Sequence, residues 1–152
     1  MTIAVHFVTV ARSISNLSIA GINVRDLDEI PVDASKILPV LFPIPNGFIT
    51  DVVPERMTMG GGGTAKIDLS YTMNYRFLKS IAGANLENLS IYSDLIEDLA
   101  AITVAILGND DITGAVDMEL QGVSNMGPLT DPAGTGAYIG LDIALRVLEF
   151  AQ

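Results

Sequence analysis

Ala65-Lys66-Ile67-Asp68-Leu69-Ser70-Tyr71-Thr72-Met73-Asn74-Tyr75-Arg76-Phe77 is the stretch whose reading decides the fold. Apolar side chains stand at every odd position and polar or charged ones at every even position. Successive side chains of a strand point to opposite faces, so this pattern predicts a long strand with one face buried and the other polar. Such alternation favours an antiparallel sheet over a parallel one covered on both faces.

Downstream, the segment from Leu86 to Leu107 places Leu89, Tyr92, Leu95, Ile96, Leu99, Ile102 and Ile106 at helical spacing. Glu87, Asp94, Glu97 and Asp98 lie elsewhere on the cylinder, as expected of a long amphipathic helix laid on the sheet. Gly108 is positioned to cap it, and Asn109-Asp110-Asp111 forms an acidic turn. Alternation resumes at Val116, Met118 and Leu120, and again at Ile139, Leu141, Ile143, Leu145 and Val147. The glycine- and proline-containing stretch from Gly122 to Gly136 reads as a long loop between these two strands, of the kind that often carries function.

Upstream, residues 19–64 read as an irregular arm carrying Pro31, Pro39, Pro43, Pro45 and Pro54, the turn Pro45-Asn46-Gly47 and the run Gly60-Gly61-Gly62-Gly63. The prolines confine any strand between Ile37 and Ile44 to a sheet edge or an extended arm. Ile3, Phe7, Val10, Ile14 and Leu17 form one stripe of an N-terminal helix over residues 2–18, with Thr2 as N-cap and Gly21 near its end. The expected fold is therefore α+β. It is a two-layer sandwich in which a mainly antiparallel sheet packs against one long helix, plus an N-terminal helix, in a single domain over residues 1–152.

Composition narrows the function. With no cysteine, disulfides, thiol nucleophiles and cysteine zinc sites are excluded. The formal charge is −10, from 18 acidic and 8 basic residues, and the bases are scattered, so phosphate-neutralising nucleic-acid binding is not expected. An acidic surface suits a wall past which DNA slides without sticking. Charged residues make up only 17% of the chain and the mean hydropathy is +0.45, which implies apolar surface that closes against other subunits. Proline-broken apolar runs such as Ile37 to Ile44 are too short to span a bilayer. The N-terminal stretch has no basic segment or cleavage site of a secretory signal.

Catalytic patterns are weak. His6 is the only histidine and reads as a packed or surface residue, because a triad or metal site needs partners that the sequence does not indicate. Gly60 to Lys66 precedes a strand rather than a helix and lacks a Ser or Thr after the lysine, so it is no phosphate loop. Gly134 to Gly140 likewise leads into a strand and is no dinucleotide fingerprint. Asp94, Glu97 and Asp98 read as a solvated helix face, and Tyr71, Tyr75 and Phe77 as core. No catalytic residue, metal or cofactor is expected. A small-molecule-binding or enzymatic α+β domain is the remote alternative.

The order of elements resembles the tail terminator proteins of long-tailed bacteriophages. The resemblance rests on the arm Leu38-Pro39-Val40-Leu41-Phe42-Pro43 ahead of a polar loop and long strand, and on the single helix Leu89 to Leu107. It also rests on the closing segment from Gly136-Ala137-Tyr138-Ile139-Gly140 to Glu149. Gly60 to Gly63 has no place in that pattern. The resemblance implies a non-enzymatic virion protein, assembled in the host cytoplasm without a membrane. It forms a ring, a homohexamer in that family, that ends the tail tube and joins the head connector, with a lumen for DNA. Its partners would be its own copies, the tube protein and the connector or stopper protein. A head-completion or stopper protein, or a tube subunit, is the nearer alternative. On this reading the strand Ala65 to Phe77 pairs with the last strand. Leu38, Val40, Phe42, Ile44, Phe48, Met126 and Leu129 are then candidate contacts to neighbours or axial partners, and Asp110, Asp111, Asp117 and Glu119 are candidate lumen carboxylates. Deleting Ser124 to Thr135 is expected to abolish stacking onto the tube or connector and leave the subunit folded.

Overall fold

The computed structural model describes residues 7–19, 21–31, 34–59, 65–81, 90–108, 116–132, 134 and 136–149. Along the chain run α1 (Phe7–Ser15), β1 (Asn23–Val24), a 3-10 turn (Leu27–Glu29), β2 (Val40–Pro43), β3 (Ile49–Met59) and β4 (Ala65–Ile81). α2 (Ser90–Leu107), β5 (Val116–Thr130) and β6 (Ala137–Glu149) follow. The strands form one sheet in the order β1-β2-β4-β6-β5, and β3 also pairs with β4. β2 lies against Tyr75–Leu78 of β4 and β3 against Ala65–Met73. Every pairing is antiparallel except β1 with β2, so the α+β sheet is mixed rather than wholly antiparallel.

β4 and β6 pair as expected, with Tyr71 opposite Val147, Met73 opposite Leu145, Tyr75 opposite Ile143 and Phe77 opposite Leu141. This register turns the apolar positions of both strands to one face, where Val10, Ala11 and Ile14 of α1 and Leu95, Ile102 and Ile106 of α2 join them in one core. Within α2 the buried stripe is narrower than the expected one, because Ile96 is 54% exposed. Each residue turns the helix by about 100°, so Ile96 leaves the face that Leu95 occupies. Asp98, read as solvated, instead pairs with Lys79 of β4 at 2.6 Å and ties the helix to the sheet. The start of the expected helix at Leu86–Leu89, like Thr2, His6 and Gly60 to Gly63, lies outside the described residues. α1 closes at Ser15 rather than at residue 18. Leu17 N–H donates to Ile14 O in a tightened last turn, and Gly21, with φ of 75°, reverses the chain.

Two expectations need correction. Gly122 to Thr130 is not loop but the second half of β5, paired with β6 as far as Thr130 opposite Ala137. Register shifts between Leu120 and Gly122 and between Ser124 and Gly127 absorb the residues that break the alternation. Asn125 and Gly127 take positive φ values of 55° and 144° in the second bulge. Pro128 is tolerated because β5 is an edge strand among the described residues. A deletion of Ser124 to Thr135 would therefore remove half a strand.

The arm, in turn, is largely structured. Its β2 is sealed into a second apolar cluster of Ala34, Val40, Phe42, Leu78 and Tyr138, with Ile30, Ile37, Leu38 and Leu129 packed around it. This cap covers one end of the sheet face opposite the helices, because Val40 and Phe42 pair with Leu78 and Arg76.

Candidate functional site

Beyond the cap, the second sheet face is polar, and the even positions of β4 and β6 supply most of it. Arg76 donates from Nε to Asp142 Oδ1 at 2.7 Å and from Nη2 to Oδ2 at 3.0 Å, in the bidentate geometry that suits a guanidinium. Asn125 donates to the same Oδ2 at 2.8 Å, and Arg76 Nη1 reaches Thr130 O at 3.2 Å. The hydrogen bond to Asp142 raises the Arg76 pKa against the opposing effect of burial. Because the folded value is the higher one, this contribution is complete below the ordinary arginine pKa and persists across the pH range a folded protein normally meets.

Arg146 spans three strands. Its Nη1 donates to Asp51 O of β3 at 3.0 Å and to Thr72 Oγ1 at 3.1 Å, and its Nη2 donates to Ser70 Oγ at 2.6 Å. Thr72 donates in turn to Gln121 Oε1 of β5 at 2.8 Å. Asn74 donates to Thr50 Oγ1 at 2.9 Å and to Gly47 O at 3.0 Å. These bonds tie β3, β4, β6 and β5 into one connected polar layer. At one end of that layer an open depression of about 570 Å³ is lined by Ser70, Asp117, Met118, Glu119, Arg146 and Leu148.

The expected site residues are dispersed over this frame. Asp117 lies opposite Leu148 and Glu119 opposite Arg146, so both exposed carboxylates stand on the polar face. Asp110 and Asp111 lie outside the described residues. Val40 and Phe42, at 0% and 1% exposure, are consumed by the subunit's own cap and have no surface left for a neighbour. Leu38 and Leu129 are half-buried against that cap. Phe48 is half-buried edge-on to Tyr75, with ring centroids 5.3 Å apart. Ile44 is half-buried beside Asn74, whose carbonyl accepts its N–H at 3.1 Å. Met126, in the second bulge of β5, is the most open of the set at 41%. The Arg76–Asp142 and Arg146 clusters were missed because even positions read simply as wet. The only sequence signal was opposite charge on two strands expected to pair.

Under the helices, Tyr71 donates to Glu149 Oε1 at 2.6 Å in a buried pair. Burial, then that hydrogen bond, pushes the Tyr71 phenol far above its ordinary range. Burial, then the nearby charge of Asp26, does the same to Tyr75. Raised folded pKa values stabilise the protein at low and neutral pH, and that stability is lost as pH climbs past the unfolded tyrosine value of about 10. In an alkaline titration followed by tyrosinate absorbance, Tyr71 and Tyr75 are expected to ionise only together with loss of the near-ultraviolet dichroism. Smooth ionisation of all tyrosines in a still-folded chain would contradict this.

Among the described residues no group of three or more histidine, aspartate or glutamate side chains is placed to hold a metal ion, and no helix is long and apolar enough to cross a membrane. No protein-family model matches the chain, and no curated protein matches it in sequence.

Proposed function

We propose that this chain is a structural subunit of a ring that terminates a bacteriophage tail tube and joins it to the head connector, and that it is not an enzyme. The observation that carries the reading is the division of one sheet into two faces. One is roofed by α1 and α2, and the other, beyond its apolar cap, is a hydrogen-bonded polar layer bearing exposed Asp117 and Glu119. A polar layer whose groups already bond to one another offers little to a passing phosphodiester chain, and its carboxylates repel it. Copies arranged around an axis with this face inward would line a channel for DNA and carry their helices outside. The low charge content is consistent with apolar surface closed between subunits.

The reading is tested by measuring solution mass with and without tail tube protein. The expected result is one closed ring per tube end and an arrest of tube growth. Unlimited polymerisation of the chain by itself would make it a tube subunit instead. Binding to the connector but not to the tube would place it at the stopper position.

A further inference from the structure

Two strand edges stand at opposite sides of the sheet at the same height. Through β4 and β6, Pro54 is level with Val116, Val53 with Asp117, Thr50 with Glu119, and Ile49 with Leu120. Among the described residues no strand pairs with the outer side of β3 or of β5. β2 flanks β4 only at the level of Tyr75–Leu78, and β1 pairs with the far side of β2. Since each neighbouring pair in β3-β4-β6-β5 is antiparallel, β3 and β5 run in opposite directions.

A rotation about an axis along the strands therefore brings β3 of one copy beside β5 of the next, antiparallel and in step. This is the favoured ladder geometry, and the contact is heterologous, as a ring requires. We infer that β3 over Ile49–Pro54 docks on β5 over Val116–Leu120 of a second copy of this chain, an assignment that rests on the ring reading above.

The two edges differ in a way that limits the contact to this segment. Val116–Leu120 is the part of β5 without a bulge; one register shift follows directly after Leu120, and Gly122 to Thr130 carries the other together with Pro128 and two positive φ values. On β3, the bulge at Asp51 and Val52 leaves Val52 54% and Val53 43% exposed, so apolar contact adds to a short ladder there. Pro54 and the second register shift, between Pro54 and Arg56, end it. Bulges, prolines and carboxylates oppose indiscriminate strand pairing, and here they restrict the ladder to two short pieces, Ile49–Thr50 against Glu119–Leu120 and Val53–Pro54 against Val116–Asp117, on either side of the β3 bulge in which Asp51 takes a φ of 53°.

The chain has no cysteine, so introduced thiols report this contact alone. Val53→Cys and Asp117→Cys replace exposed side chains and are checked for unchanged circular dichroism. Mixing the two single variants under mild oxidation at millimolar concentration is expected to give a covalent dimer. The double variant should give a ladder that stops at the ring mass. A Met126→Cys and Val53→Cys mixture should not cross-link. Absence of the Val53–Asp117 cross-link in a protein whose mass shows a ring would overturn the edge pairing and leave the ring standing. A Val53→Cys variant that cross-links efficiently to itself would replace the heterologous contact with a two-fold one and overturn the inference. A chain that stays monomeric and uncross-linked, alone and with tube protein, would overturn both the pairing and the ring.

Discussion

Gly140→Val should unfold the sheet at its centre, with a melting temperature lower by about 6–12 °C for a loss of about 3 kcal/mol. Gly140 lies in β6 between Leu78 of β4 and Gly127 of β5. A side chain there would overlap the carbonyl oxygen of Phe77 and approach the Phe77 carbonyl carbon to 3.0 Å and Leu78 Cα to 3.1 Å. All three are backbone atoms of the central strand, so relief requires β4 and β6 to separate and not merely a rotamer change. Alanine should already be costly for the same reason. At Gly122 an added Cβ meets nothing within 4 Å, so Gly122→Ala should leave the transition almost unchanged. Equal melting temperatures for the Gly140 and Gly122 variants would show that the two strands are not held this close.

Asp142→Ala is expected to cost about 3 kcal/mol, because it leaves a largely buried guanidinium without its carboxylate. The side chains of Arg76 and Asp142 are 23% and 10% exposed, so solvent compensates only in part. Asp142 also accepts from Asn125, the residue of positive φ in the second bulge, and Arg76 holds Thr130 O. The loss should therefore be directional. Amide hydrogen exchange is expected to quicken over Ser124–Thr130, while Val116–Leu120 keeps its protection. Asp142→Asn, which retains one acceptor, should recover part of the stability. Uniform loss of protection along β5 would mean that the ion pair supports the whole sheet and not this half-strand.

The two variants act on different layers of information. The long strands were legible from the chain because burial of one face imposes a two-residue period, which also favoured an antiparallel sheet, whereas the pairing of β4 with β6 was an expectation attached to the resemblance. The α2 stripe was legible in outline, since Leu95, Ile102 and Ile106 recur at helical spacing and are fully buried or nearly so. Its width was not. Ile96 and Val104 are as apolar as their buried neighbours, and only the position of the sheet decides which of them it covers.

Gly122 to Thr130 departs from its local sequence signal for a related reason. Glycine, asparagine and proline signal a turn when read locally, but an edge strand can hold all three where bulges absorb the mismatch and a partner such as β6 satisfies one side. The same holds for Val40 and Phe42, which look like a free arm until the cap over Leu78 and Tyr138 encloses them. By itself, then, the sequence of this protein determined the long alternating strands, the helices in part, the acidic charge and the lack of cysteine chemistry, because these depend on local period and composition. Only the tertiary structure decided which even-numbered residues bond to one another, which apolar residues stay exposed, and that β3 and β5 end at opposite edges in step. Each of those depends on register between segments far apart in the chain, and a one-residue shift would have reversed it.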